Sequence, residues 1–216
     1  DRNYRPDHPP THGPMITLAL DTSTATGSVA LLDADRLVWQ TTFARDGLFP
    51  ALESMPLKAF QIERFVVGLG PGSFTGIRAG VAAVKGLALP AARPILGVAS
   101  YDAIAWSLRN QFPPDCERLC VLGDARRDEV YFALYDRNAN RQGPIRVGPL
   151  EKIADEIHHP LWFASAEMEK FAAPLRESFG GFANIHSAPV TPSAMALAEL
   201  ARLGRITGSL EPLYLR

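Results

Sequence analysis

Four short stretches of the 216-residue chain carry side chains whose types and spacing could do chemistry. The first is Gly70-Pro71-Gly72-Ser73-Phe74-Thr75-Gly76-Ile77-Arg78. Its glycines permit a tight turn, Pro71 stiffens it, and Ser73 or Thr75 can cap a helix that follows. The free N–H groups at such a helix start make either an anion site or a partner loop, or the stretch is simply a structural turn. No lysine follows the last glycine, which excludes a Walker-type phosphate loop. The second is Asp21-Thr22-Ser23-Thr24, at the end of a strand. A carboxylate with hydroxyls can organise hydrated magnesium and a phosphate, although the same residues build ordinary turns. The third, Asp124-Ala125-Arg126-Arg127-Asp128-Glu129, has no glycine to let backbone amides approach a phosphate. It reads as a solvated charged turn, with Arg126 free to meet an acidic partner or a nucleic-acid phosphate. The fourth is His8 and His12, spaced as on one face of a metal-binding helix, but Pro9 and Pro10 between them oppose helical geometry. His158 and His159 are adjacent and His186 stands alone, so no metal site and no Ser/His/Asp or Cys/His constellation is expected. Cys116 and Cys120 are too few for a disulfide framework, and Cys120 reads as a buried strand thiol.

The elements that position these stretches follow from periodicity. Ile16–Asp21, Ser28–Asp33 and Leu37–Phe43 predict an antiparallel meander. Leu48–Phe60 is a weak helix, interrupted by Pro50 and Pro56. Phe65–Leu69 is a buried strand, the glycine loop follows, and a helix runs to about Leu89. Ile95–Val98 is a strand, and Ser100 is expected to cap a helix ending near Asn110. After Pro113-Pro114 the grammar repeats: strands Arg118–Gly123 and Glu129–Tyr135, strand Leu161–Ala164, and helices over Glu167–Leu175 and Ser193–Leu203. Two α/β lobes are therefore predicted, 15–112 and a smaller 113–216, after a tail over 1–14 that is disordered or was added for expression. In the helix after Thr75, the small residues Gly76, Ala79, Gly80 and Ala83 admit close approach of another element. Ile77, Val81 and Val84 make a second side apolar, so the helix is either buried or part of an interface.

Composition narrows the function. With 22 Lys+Arg against 23 Asp+Glu, the net charge is −1, which excludes a broad electrostatic grip on nucleic acid. No apolar run reaches the ~20 residues of a bilayer span, and residues 1–14 lack the apolar segment of a signal peptide. Two cysteines fit a reducing cytoplasm.

Taken together, Ile16-Thr17-Leu18-Ala19-Leu20-Asp21-Thr22-Ser23, Gly68 to Gly80, Lys85-Gly86-Leu87-Ala88, Ile95-Leu96-Gly97-Val98-Ala99-Ser100, Asp124 to Tyr131 and Pro212-Leu213-Tyr214-Leu215-Arg216 resemble the TsaB (YeaZ) family of tRNA threonylcarbamoyladenosine biosynthesis. The resemblance implies an actin-like ASKHA (ribonuclease H-like) fold of two related lobes. It implies a non-catalytic subunit that supports a TsaD-like transferase, touches tRNA only indirectly, pairs with itself when alone, and meets a TsaE-like ATPase. TsaD holds its metal through a helical H-x-x-x-H, which the folded part here lacks. The expected interface residues are Gly72, Ser73, Phe74, Thr75, Gly76, Arg78, Ala79, Gly80 and Ala83. Asp21, Thr22, Ser23, Gly70, Asp124, Arg126 and Glu129 are the expected nucleotide- or phosphate-adjacent residues. No intrinsic cofactor is expected, ATP or ADP being confined to an interface shared with the partner. Two departures stand out: the segment before Phe65 is short, and Ala164-Ser165-Ala166 replaces a glycine turn. The competing expectations are an ASKHA phosphotransferase using Asp21 and the Gly70–Gly76 loop, and a zinc peptidase.

Overall fold

Two five-stranded mixed sheets, built on the same plan, organise the chain. The computed structural model describes residues 15–156 and 159–213; the tail expected over 1–14 lies outside them. In the first sheet, β1 (Ile16–Asp21), β2 (Thr26–Asp33) and β3 (Arg36–Ala44) form the antiparallel meander. β4 (Arg64–Gly68) then adds in parallel to the other side of β1, and β5 (Ile95–Val98) in parallel to β4. The order is β3-β2-β1-β4-β5. The second sheet repeats it with β6 (Arg118–Arg126), β7 (Glu129–Asp136), β8 (Arg146–Pro149), β9 (Leu161–Ala164) and β10 (Ala183–Ile185), in the order β10-β9-β6-β7-β8. Each lobe is thus ribonuclease H-like, as expected for the actin-like architecture. β8 and β10 have no counterpart in the sequence reading. They are four and three residues long, too short for a period-2 pattern to register.

The central strands are largely apolar because both of their faces are covered. Leu18 and Leu20 of β1 face a core closed by α1 (Leu48–Glu53) and α2 (Phe74–Ala88). Ala19, with Ala30, Leu32 and Val66, faces the opposite core. That second cover comes from the far end of the chain: α5 (Ala194–Arg202) lays Ala194, Leu197, Ala198, Leu200 and Ala201 against the first sheet. Conversely, α3 (Ser100–Leu108) places Tyr101, Ile104, Ala105 and Leu108 in the core of the second sheet with Leu119, Val121, Ala133 and Tyr135. The other face of that sheet is closed by α4 (Met168–Phe179). The sheets fall on either side of Pro113-Pro114, but their covering helices cross that divide. α3 and α5 lie side by side, joined where the Trp106 indole N–H donates to Glu199 at 2.5 Å. Beyond α5 the chain runs along β5, where the Thr207 N–H donates to Gly97 O, and returns to donate from Leu213 N–H to Leu69 O.

Two local expectations need correcting. Pro50 does not interrupt α1; it sits in the first turn, where the missing N–H would have had no helical partner. Ser100 does not cap α3, whose N-cap is Ala99 without a side-chain bond. Its hydroxyl is committed elsewhere, as described below. Among the described residues no helix is long and apolar enough to cross a membrane.

Candidate interlobe site

The turns that end β1 and β6 meet across a cleft of about 580 Å3 between the two lobes. Ser23, Thr24, the first turn of α2 and the loop before it line one wall; Gly123, Asp124, Arg126 and Glu167 line the other, with Tyr101 and Ile104 of α3 at the base. Of the residues expected near a nucleotide, the cleft wall includes Ser23, Asp124 and Arg126, but not Asp21, Thr22, Gly70 or Glu129.

Asp21 is fully buried. Oδ1 accepts from the Ser23 N–H (2.8 Å) and hydroxyl (2.6 Å), and Oδ2 accepts from the Ser100 hydroxyl (2.6 Å). Ser100 Oγ in turn accepts the Gly70 N–H at 3.0 Å. Burial raises the Asp21 pKa above the ordinary carboxylate value, and the bonds from Ser100 and Ser23 oppose that rise. This carboxylate joins β1 to the glycine loop and to α3. Its donors are three protein groups, with no face left open, so the arrangement does not fit a hydrated magnesium ion.

The glycine loop closes over that carboxylate. Gly70 has φ +85°, a conformation that favours glycine, and the Gly70–Pro71 peptide is cis. The Ser73 N–H donates to Ser23 O at 2.7 Å, and Gly72 lies so close to Ser23 that a Cβ there would overlap its carbonyl. Ser73 is the cap of α2, accepting the Gly76 N–H at 3.2 Å. Gly76 and Gly80 serve the chain itself: Thr22 packs onto them, donating its hydroxyl to Gly76 O at 2.8 Å, and a Cβ on either would overlap Thr22. Gly80 is therefore buried inside this chain and does not present itself to a partner, correcting its place in the expected interface.

The rest of that expected face is open. Gly72, Phe74, Thr75, Arg78 and Ala79 are exposed, and Ser73, Gly76 and Ala83 are half-buried. Phe74 is 51% exposed under the Arg78 guanidinium, whose carbon lies 3.9 Å from the ring centroid. Leu48 of α1 and Ala79 of α2 line one shallow groove, and Phe49 of α1 is 65% exposed. The sequence reading passed over Phe49 because prolines obscured its helix.

On the opposite wall, the β6–β7 turn achieves without glycine what was thought to need it: Arg126, Arg127 and Asp128 all have positive φ, at 70°, 54° and 61°. Two of its amides are nonetheless taken. The Asp124 N–H donates to Glu167 Oε2 at 3.0 Å, and the Arg126 N–H donates to Asp124 Oδ1 at 2.8 Å. Asp124 Oδ2 is held by Lys170 at 2.6 Å and Arg126 at 3.5 Å. Burial would raise the Asp124 pKa, but Lys170 and the Arg126 amide outweigh it and leave it lowered. Two carboxylates thus occupy the Asp124 and Arg126 amides. Tyr101, Tyr131 and Glu167 were not foreseen; they come from a helix, a strand and a turn whose side chains share no sequence motif. Among the described residues no cluster of three His, Cys, Asp or Glu could hold a metal ion. Cys116 and Cys120 are both free thiols and buried.

Comparison with known proteins gives a consistent result. Residues 49–174 match the family described as TsaD: tRNA N6-adenosine threonylcarbamoyltransferase. The tRNA threonylcarbamoyladenosine biosynthesis protein TsaB of Haemophilus influenzae is 27% identical over 228 residues, spanning 94% of each chain. The Escherichia coli protein of the same name is 33% identical over 139 residues, covering 58% of this chain and 57% of that one. The solved structure of YeaZ from Pseudomonas aeruginosa superposes with a TM-score of 0.74 at 27% identity, covering 93% of this chain and 100% of that one.

Proposed function

The chain belongs to the TsaB (YeaZ) family, and on that footing we propose that it is a non-catalytic, cytoplasmic partner subunit in tRNA threonylcarbamoyladenosine biosynthesis. It supports a TsaD-like transferase by docking the exposed face of α2 and the adjoining α1. The observation that carries this reading is that Phe49 of α1 and Phe74 of α2 are 65% and 51% exposed, while Leu48 and Ala79 of the same two helices line one groove. Exposed aromatic rings of this size are favourable to bury against a partner. The sealed Asp21 supports the non-catalytic part, and the carboxylate-filled β6–β7 turn supports the absence of a nucleotide of its own. ATP or ADP then belongs to the partner or to the shared surface, a TsaE-like ATPase joins through the complex, and the chain pairs with itself when the transferase is absent.

The test is complex formation with a purified TsaD-like transferase by size-exclusion chromatography. Ala79→Arg should abolish co-elution, because a bulky cation on a contact face prevents close packing. Its circular dichroism spectrum should remain unchanged, since Ala79 is exposed. Failure of the unmodified chain to bind the transferase, with or without nucleotide, would overturn the proposal. Calorimetry with magnesium and ATP addresses the phosphotransferase alternative: tight binding to the isolated chain would restore it.

A further inference from the structure

Each five-stranded sheet has two edges, and three of these four edges are blunted. β5 is lined by the returning chain, where the Thr207 N–H donates to Gly97 O at 2.8 Å. β8 is four residues long and ends in Pro149, and β10 is three residues long. Short strands, a proline and a covering segment are ordinary means of keeping a sheet edge from pairing. β3 is the exception. It runs for nine residues, Arg36–Ala44, with no proline and no charge from Leu37 onward. A register shift against Leu31 and Leu32 interrupts it near Val38, so the regular open run covers residues 39–44. At ~3.3 Å per residue that run spans about 20 Å, the length of an ordinary strand. Among the described residues, no second main-chain segment bonds to it on the side away from β2. An edge left in this state is a template for another strand.

The chemistry of the run reads the same in both directions. Trp39 and Phe43 are aromatic, Gln40 and Thr42 are polar and uncharged, and Thr41 lies between them. Trp39 and Phe43 pack half-buried against the first core, whereas Gln40 and Thr42 are exposed. We propose that β3 pairs antiparallel with β3 of a second copy of this chain, about a two-fold axis at Thr41. A two-fold interface joins one patch to itself, so its chemistry must be self-complementary, as this run is. In that register Trp39 stands opposite Phe43 of the other copy, and Gln40 stands opposite Thr42. Opposed residues of an antiparallel pair share a face, so aromatic meets aromatic on the core side and polar meets polar in solvent. No like charges face each other along the run. The two sheets thereby join into one of ten strands. The pairing uses β3 and not α2, so it goes beyond the docking role and does not depend on it.

The experiment is sedimentation of the full chain over a concentration series, in an Ala79→Arg background so that contacts through α2 do not contribute. A monomer–dimer equilibrium is expected, with the amides of residues 39–44 exchanging more slowly as the dimer fills. Gln40→Lys combined with Thr42→Lys should weaken dimerisation by about tenfold, because like charges then oppose each other across the strand pair. Gln40→Glu combined with Thr42→Glu should do the same. An equimolar mixture of the two double variants should restore the dimer, since the opposed charges then differ in sign. Both should keep the thermal transition of the parent, because Gln40 and Thr42 are exposed. A monomer at every concentration, a dimer indifferent to both double variants, or a mixture that stays monomeric would each overturn the assignment. Protection of residues 39–44 that appears only when a TsaD-like transferase is added would also overturn it, giving the edge to that protein instead. Failure of the unmodified chain to bind the transferase would bear on the docking proposal alone.

Discussion

Asp21 is the residue on which the most structure converges, since strand, glycine loop and α3 all bond to it directly or through Ser100. Asp21→Ala should destabilise the protein by about 3 kcal/mol in urea unfolding, because it strands buried donors of Ser23 and Ser100. The pH dependence has a definite sign. Burial raises the Asp21 pKa in the folded state, so the native protein binds that proton more tightly than the unfolded chain. The resulting stabilisation is full below the unfolded-state pKa and is lost as pH rises through the folded value. Asp21→Asn does not titrate and should gain on the parent protein across that window; a constant difference between the two unfolding series would contradict it. At the other wall, Lys170→Met should cost no more than about 1 kcal/mol, because the ion pair with Asp124 is half exposed to solvent. The sequence made Asp21 visible as a carboxylate at a strand end but not its occupant, since Ser100 lies 79 positions away. Tyr101 and Glu167 were hidden for the same reason: a cleft assembled from separate elements leaves no local spacing to read.

At the scale of elements, α2 shows two kinds of small residue that a sequence pattern cannot separate. Gly76 and Gly80 admit Thr22, whereas Ala79 stands on the outside of the same helix. Gly80→Val should therefore lower stability by about 2 kcal/mol through overpacking against Thr22. Ala79→Arg should change it by less than about 0.5 kcal/mol, and thermal unfolding of the two variants side by side checks the contrast. Strands with both faces buried were legible as short apolar runs, and α2 was legible from its cap and apolar spacing. α1 was obscured by Pro50 because a proline in the first helical turn is harmless while one further along is not. β8 and β10 owe their existence to neighbours in the sheet, and sequence alone carries little trace of such dependence.

Across the whole molecule, chain order and packing order differ. The Pro113-Pro114 loop was readable as a divide, and it does separate the sheets, but α5 covers the first sheet and α3 enters the core of the second. A fragment of residues 15–112 keeps every strand of the first sheet but leaves Ala19, Ala30, Leu32, Val66 and Val98 without the α5 residues that bury them. It should show no cooperative thermal transition, whereas residues 15–213 should unfold in one; a sharp transition in the fragment would refute this dependence. The same crossing sets a schedule for biosynthesis. As the polypeptide emerges from the ribosome, the first sheet is complete long before the helix that shields one of its faces has been translated. The nascent chain must carry that greasy surface while the 95 residues between Val98 and Ala194 are added, so chaperone demand should fall only when α5 is released.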